Sequence, residues 1–217
     1  MSKLALVTGA SRGIGSCVAA QLRAAGWDVL APGRDALDFS SGHSVNEWCL
    51  YNVVGLSNPI YFDALVFCHG TWFSKTVSYP SDYEEQYRLR VVNPALLITS
   101  LLVGKRVGNV TMVASTQAFG GRAETGPYAA ACAAQVRLAL GLAQSVKGVR
   151  SNVVCPGLTD TSMAAAVRAS GDCRPDAVAQ PPEAVAGAVL RLVTGDENGK
   201  VLRVVDGVVT EAKWTWG

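Results

Sequence analysis

A serine and a tyrosine stand near the middle of this chain, where a strand is expected to end and a helix to begin. Ser115 follows the apolar run 110–114, and Tyr128 follows Pro127 at the start of an Ala- and Leu-rich stretch that continues to Gln144. The run is typical of a strand, proline favours the first turn of a helix, and the later residues are strong helix formers. A hydroxyl and a phenol placed in this way can meet at one site, where the phenol can transfer a proton.

A glycine-rich turn near the amino terminus could bind an anion. It contains Gly9, Gly13 and Gly15, and it lies between the apolar run 4–8 and the amphipathic segment 16–25, which predict a strand and a helix. Such a turn exposes backbone N–H groups at the positive end of a helix dipole, which suits a pyrophosphate. Glycines alone are weak support because any tight turn before a helix needs them, but the flanking strand and helix strengthen the interpretation.

The end of the expected second strand, 26–31, is where a doubly wound nucleotide-binding fold contacts the adenosine ribose. The chain carries no carboxylate directly at that point and continues to Arg34. A carboxylate would accept a hydrogen bond from a free 2′-hydroxyl, whereas Arg34, together with Arg12, can pair with a 2′-phosphate. The sequence therefore favours NADP over NAD. The alternative is that Arg34 is a solvated loop residue and that Asp35 contacts the ribose.

Segments typical of strands and helices alternate along the chain without an internal repeat or a linker. Beyond those already described, strands are expected at 64–67, 149–154 and 199–207, and helices at 81–102 and 183–193. This alternation predicts an α/β fold in which residues 1–217 form a single Rossmann-type domain, a doubly wound parallel sheet with helices on both faces. The stretch 162–182, rich in Ala, Asp and Pro, is either a lid over the site or an ordinary surface loop.

Composition and charge narrow the classes of function. The chain has 217 residues, of which 49% are hydrophobic, and a net charge of +2 without a basic run, so neither nucleic acid nor a membrane surface is an expected partner. No apolar stretch approaches the ~18 residues that span a bilayer, and no leader precedes the first strand, so we expect a cytoplasmic protein. The six cysteines lack C-x-x-C spacing and only two histidines accompany them, so free thiols and no metal site are predicted.

Several motifs, in this order and spacing, resemble the short-chain dehydrogenase/reductase family across nearly the whole chain. The motifs are the glycine turn (8–15), an Asp-Phe pair (38–39), a degenerate Asn-Asn-Ala-Gly segment (67–70), a helix asparagine (Asn93), the serine (Ser115), the tyrosine (Tyr128), a Pro-Gly loop (156–161) and a closing strand (201–207). The resemblance implies that a dinucleotide is bound by Gly9, Ser11, Arg12, Gly13, Ile14, Gly15, Arg34, Asp38, Phe39, Pro156, Gly157, Thr159 and Thr161. It also implies a homodimer or homotetramer.

The resemblance further implies roles for the polar residues of the site. Ser115 would polarise the substrate oxygen, Tyr128 would exchange a proton as hydride moves to or from the nicotinamide, and Asn93 would anchor a proton-relay water. The family has a lysine four positions after the tyrosine, which holds the nicotinamide ribose and lowers the pKa of the phenol; here that position is Cys132. A neutral thiol supplies no positive charge, and a thiolate would raise the pKa of the phenol. The catalytic tetrad that the resemblance implies, an asparagine, a serine, a tyrosine and a lysine, is therefore expected to be incomplete at its lysine.

Three functions remain open at this point. The first is an NADP-dependent oxidoreductase that interconverts a small carbonyl and an alcohol, weakened by Cys132. The second is a catalytically silent NAD(P)-binding protein of the same fold. The third is a non-redox enzyme that uses Ser115 and Tyr128 on a substrate in an emptied nicotinamide pocket. The number of matching motifs favours the first, although fold alone does not choose among them.

Overall fold

The computed structural model describes residues 2–54, 60–75, 77–173 and 176–214. The strands of the described part are β1 (Leu4–Thr8), β2 (Asp28–Leu30), β3 (Ala64–Phe67), β4 (Asn109–Val113), β5 (Arg150–Pro156), β6 (Val201–Val205) and β7 (Val208–Glu211). They form one seven-stranded sheet in the order β2-β1-β3-β4-β5-β6-β7. Neighbours from β2 to β6 run parallel, and β7 runs antiparallel to β6.

Helices cover both faces of this sheet. They are α1 (Gly13–Ala24), α2 (Gly42–Cys49), α3 (Pro80–Tyr87), α4 (Asn93–Val103), α5 (Gly126–Ser145), α6 (Ser162–Ala169) and α7 (Pro182–Thr194). Side chains of β1 alternate between two cores: Leu6 packs with α2, α4 and α5, whereas Ala5 and Val7 pack with α1 and α7. This two-sided burial is what a parallel sheet requires, and it confirms the predicted single-domain, Rossmann-type architecture.

The region predicted as one long helix, 81–102, is divided into α3 and α4 by a π-helical segment, Arg88–Val92. The interruption precedes Pro94 because proline lacks an N–H group and is tolerated only in the first turn of α4. The π-helical segment matters for the site because its extra residue per turn changes which side chains point inward.

The carboxyl-terminal part of the sheet differs from the expected single closing strand. Asp206 and Gly207 both have positive φ, 52° and 76°, and they form the turn of a hairpin between β6 and β7. Two central residues with positive φ define the type I′ turn that suits a tight hairpin, and Asp-Gly is a typical sequence for it. The predicted parallel sheet is confirmed from β2 to β6, and β7 adds an antiparallel strand that the sequence analysis did not predict.

The stretch 162–182 is more regular than its composition suggested, because its first part forms α6. Residues 174 and 175 within it lie outside the described part of the chain. Across the described ranges, none of the helices combines the length and the apolar character needed to cross a bilayer.

Candidate active site

Ser115 and Tyr128 lie together at the carboxyl edge of the sheet, where parallel α/β sheets bind ligands. Ser115 follows β4, Tyr128 is in the first turn of α5, and both line a cavity of about 190 Å³. The Ser115 Oγ accepts a hydrogen bond from the backbone N–H of Gln117 at 3.2 Å, which orients the hydroxyl. The ring of Trp72 packs on the ring of Tyr128, with 4.9 Å between the centroids. The sequence prediction that the serine and the tyrosine meet at one site agrees with this geometry.

The surroundings of Tyr128 keep its phenol protonated. Burial raises the pKa of the Tyr128 phenol to about 12, and the neighbouring Cys132 contributes in the same direction. Arg90 and a hydrogen bond with Ser115 act the other way and lower the pKa, but they do not offset the burial. The phenol therefore carries its proton throughout the neutral pH range.

Cys132 lies behind Tyr128 rather than in the cavity. Its side chain is 0% exposed, belongs to the core that α5 forms with the sheet, and is not among the residues lining the cavity. Burial raises the pKa of the Cys132 thiol, whereas Arg90 and a hydrogen bond with Tyr128 lower it. The position that follows Tyr128 by one helical turn thus holds a buried, neutral group.

Arg90 is a residue of the site that the sequence reasoning did not identify. It comes from the π-helical segment between α3 and α4, it is 2% exposed, and it lines the same cavity as Ser115 and Tyr128. Its guanidinium carbon lies 4.4 Å from the centroid of the Tyr128 ring. The available signal was a single arginine within the otherwise apolar run 89–92.

Asn93, the expected companion of the serine and the tyrosine, has a different side-chain environment. It is buried, and its Nδ2 donates a hydrogen bond to the backbone carbonyl of Phe39 at 2.7 Å. It lines neither the cavity with Ser115 nor the groove described next. The structure therefore does not bring the Asn93 amide to the Ser115–Tyr128 pair, and its role in a proton relay stays a prediction.

A second cavity, a groove of about 630 Å³, runs beside the first along the ends of β1 and β2. Most of the predicted cofactor residues line it, namely Gly9, Ser11, Arg12, Gly13, Ile14, Gly15, Arg34, Asp38, Phe39 and Thr161. The remaining three line the smaller cavity: Pro156, Gly157 and Thr159. The two cavities adjoin through shared residues, which are Ile14, Cys68, His69, Gly70, Thr161 and Met163.

The glycine turn leaves room for an anion at the start of α1. A Cβ on Gly15 would lie 2.2 Å from the carbonyl oxygen of Gly9, so no larger residue fits without displacing the turn. Helix α1 has no acidic side chain in its first turn, and no side chain caps its amino terminus. Its first N–H groups therefore remain available, and the turn fits a pyrophosphate.

Arginines border the end of the groove near β2. Arg12, Arg23 and Arg34 line it, whereas Asp35 does not. Arg23 was not identified from the sequence. Burial alone would raise the pKa of Asp38, but hydrogen bonds from Ser40 and the charge of Arg34 hold it below its usual value. This end of the groove thus combines several guanidinium groups, which can donate hydrogen bonds to a phosphate, with one ionised carboxylate, which can accept hydrogen bonds from a base or a ribose.

His69 is a hydrogen-bonded structural residue in the wall between the two cavities. Its Nδ1 lies 2.7 Å from the Thr8 Oγ1, and its Nε2 lies 3.0 Å from the carbonyl oxygen of Leu89. Its ring stacks on Phe39, with 3.9 Å between the centroids. Burial lowers the pKa of His69 to about 4, so the imidazole is neutral and donates from Nε2 to the carbonyl.

Fold and site together define a Rossmann-type α/β protein with a serine–tyrosine pair beside a glycine-rich groove. Residues 89–172 match the family model described as short chain dehydrogenase. The acetoacetyl-CoA reductase of Rhizobium meliloti (strain 1021) is 31% identical, over 77% of this chain and 78% of that protein. The chain therefore belongs to the short-chain dehydrogenase/reductase family.

Two further comparisons extend over nearly the whole chain. The 3-oxoacyl-(acyl-carrier-protein) reductase of Salmonella typhimurium (strain LT2) is 28% identical, over 95% of this chain and 97% of that protein. The solved structure of ElxO with NADP bound has a TM-score of 0.79 at 21% identity, over 95% of this chain and 98% of that chain. At this identity the structural likeness supports the fold.

Proposed function

We propose that the protein is an NADPH-dependent reductase of a small carbonyl compound. The observation that carries this proposal is that the cavity with Ser115 and Tyr128 adjoins, through a shared wall, a groove bordered by glycines and arginines. A proton donor and a dinucleotide site are thus neighbours. The two reductases similar to this chain are named for 3-oxoacyl thioesters, so a 3-oxoacyl thioester such as acetoacetyl-CoA is the first substrate class to test.

The groove supports binding of NADPH. The glycine turn would hold the pyrophosphate, Arg12 and Arg34 would pair with the 2′-phosphate, and Thr159 and Thr161 would contact the nicotinamide end. ElxO, which shares the fold, binds NADP. When bound, NADPH supplies the hydride that reduces the carbonyl carbon.

Ser115 and Tyr128 would act on the substrate oxygen. The Ser115 hydroxyl would donate a hydrogen bond that polarises the carbonyl, and the Tyr128 phenol would give its proton to the oxygen as negative charge develops there. Because the pKa of Tyr128 is raised to about 12, the phenol holds this proton at neutral pH, which suits reduction better than alcohol oxidation. Cys132 stands where the family resemblance implies a lysine, and it supplies no charge to stabilise the phenolate as the proton leaves, so we expect slow turnover.

Helix α6 and the residues up to Cys173 would form a lid over the substrate. Met163, Val167 and Asp172 line the cavity with Ser115. Asp172 pairs with Arg122 at 2.6 Å, and the Trp72 Nε1 donates to the Ser170 Oγ at 3.2 Å. These contacts connect the lid to the loop before α5 and to the wall of the cavity. The homodimer or homotetramer that the family resemblance implies stays a prediction.

The test is to follow loss of NADPH with acetoacetyl-CoA and a panel of small ketones. We expect turnover in the wild type and a loss of at least about 10²-fold in Tyr128→Phe, with unchanged affinity for NADPH by fluorescence titration. Tyr51→Phe is the matched control, because Tyr51 is 74% exposed and is not among the residues that line either cavity. NADPH binding without turnover would contradict the proposal and favour a silent nucleotide-binding protein. Failure to bind either dinucleotide would favour a non-redox enzyme.

A further inference from the structure

Arg90 is a buried cation that forms no ion pair with a carboxylate in the described part of the chain. Its guanidinium donates to the Gln86 Oε1 at 3.3 Å, to the Gln135 Oε1 at 3.4 Å and to the carbonyl oxygen of Thr71 at 3.0 Å. All of these acceptors are neutral, and none of the ion pairs found among the described residues includes Arg90. A buried charge without a counter-charge costs folding free energy, so its presence beside a cavity points to a use for the charge.

The position of the guanidinium is closely defined. A Cβ on Gly70 would lie 2.5 Å from the Arg90 Nη2 and 2.9 Å from its Cζ, so the absence of a side chain at residue 70 provides the space that the guanidinium fills. On its other side the guanidinium lies over the Tyr128 ring, 4.4 Å from the centroid. Hydrogen bonds and packing therefore hold the positive charge over the ring of Tyr128.

The other groups that influence Tyr128 bring no positive charge. Ser115 approaches from the end of β4, and Cys132 comes from α5 itself. Two of the groups near Arg90 can become anions, namely the phenol of Tyr128 and the thiol of Cys132, and Arg90 lowers the pKa of both. Since burial keeps both groups protonated at rest, the counter-charge for Arg90 would arise only when Tyr128 gives up its proton.

We propose that Arg90 is a positioning residue that supplies the positive charge for the Tyr128 phenolate, from the π-helical segment rather than from α5. The proposal rests on the proposed reductase function. In the reduction, the carbonyl carbon accepts the hydride of NADPH, which leaves as NADP⁺. The O–H bond of Tyr128 breaks as its proton moves to the substrate oxygen and forms the alcohol. The phenolate then pairs with Arg90 until a proton from solvent restores the phenol.

The experiment measures the ionisation of Tyr128 without any turnover. Difluorotyrosine is incorporated at position 128, which lowers the pKa of the phenol into a range where the protein stays folded, and its fluorine resonance is titrated against pH. We expect Arg90→Gln to move this transition upward by about one pH unit or more, because a nearby opposite charge typically shifts a pKa by about that amount. Arg90→Lys, which keeps the charge, should retain most of the wild-type value.

Two further variants separate a charge effect from a loss of structure. Gly70→Ala keeps Arg90 but displaces its guanidinium, so it should shift the transition in the same direction as Arg90→Gln. Arg150→Gln is the matched control, because Arg150 also donates to backbone carbonyls, those of Leu192 and Val193, but is not among the cavity's lining residues. We expect no shift in this control.

The outcomes distinguish this inference from the proposed function. If Arg90→Gln is folded by circular dichroism and leaves the Tyr128 transition unchanged, the inference is wrong, whether or not the wild type reduces a carbonyl. If Arg90→Gln cannot be folded, an unchanged transition in Gly70→Ala overturns it equally. A shifted transition in a protein that reduces no carbonyl means that the proposed function has failed, and the role of Arg90 in reduction fails with it.

Discussion

Replacement of Cys132 by lysine is expected to raise the rate of alcohol oxidation about 10²-fold at about pH 8. Oxidation requires the phenolate form of Tyr128, which must accept the proton of the alcohol. With the pKa of Tyr128 at about 12, only about one phenol in 10⁴ is ionised at that pH. Cys132 lies one helical turn from Tyr128, on the same face of α5, so an ammonium group introduced there would lie close to the phenol.

The size of the effect follows from Coulomb's law. An ammonium about 5 Å from the phenol oxygen, at an effective dielectric constant of about 20, favours the phenolate by about 3 kcal/mol, or about two pKa units. The pKa of Tyr128 would then fall to about 10, and the ionised fraction at about pH 8 would rise about 10²-fold. The gain should shrink as the pH approaches about 12, where the wild-type phenol also ionises. Reduction should gain less, because its active form, the protonated phenol, already predominates.

The assay is the initial rate of NADP⁺ reduction with the alcohol product of an accepted carbonyl, measured from about pH 7 to about pH 10. Cys132→Met is the control, since it fills the same core position with a neutral side chain of greater length. An equal rise in Cys132→Met would refute the electrostatic reasoning. So would a Cys132→Lys rate that does not begin to level off near about pH 10, where the wild-type rate still rises. Thermal unfolding is measured alongside, because an ammonium at a fully buried position near Arg90 should lower stability.

Two predictions concern the groove. Arg34→Asp should change the ratio of NADPH to NADH affinity by at least about 10-fold in favour of NADH, because it removes the proposed partner of the 2′-phosphate. Binding titrations with each dinucleotide would measure the ratio. An unchanged ratio would show that Arg34 does not contact the phosphate. Gly15→Ala should abolish dinucleotide binding while the circular dichroism spectrum persists, because its Cβ would lie 2.2 Å from the Gly9 carbonyl oxygen. Gly187→Ala, with open space around residue 187, is its control, and retained binding in Gly15→Ala would contradict the steric argument.

Local signals made much of the fold and of the site predictable. The strand, glycine turn and helix at the amino terminus depend on neighbouring residues in the chain, and so does the placement of Ser115 after a strand and of Tyr128 after Pro127. Parallel strands then bring their carboxyl ends to one edge, which explains why residues far apart in the chain line adjoining cavities. The Asp206-Gly207 turn had an equally local signal, because Asp-Gly is typical of a tight hairpin. Both residues were nevertheless predicted to belong to the last strand, 199–207.

Local signals did not predict that Arg90, in the segment before α4, would be the residue that lies beside Tyr128. In a regular helix Arg90 and Asn93, three residues apart, would lie on one face. The π-helical segment Arg88–Val92 changes this relationship: Arg90 contacts the Tyr128 ring, whereas Asn93 donates to the Phe39 carbonyl. Whether a helix contains such a turn depends on the packing around it rather than on residue propensities.

The wall shared by the two cavities has a thermodynamic consequence. Ile14, Thr161 and Met163 border both cavities, so a molecule bound in the groove would contact residues that also line the smaller cavity. Any factor by which the first occupant changes the affinity for the second must, by linkage, apply equally in the reverse direction. The shared residues thus give the two cavities a physical route by which their equilibrium affinities would be coupled.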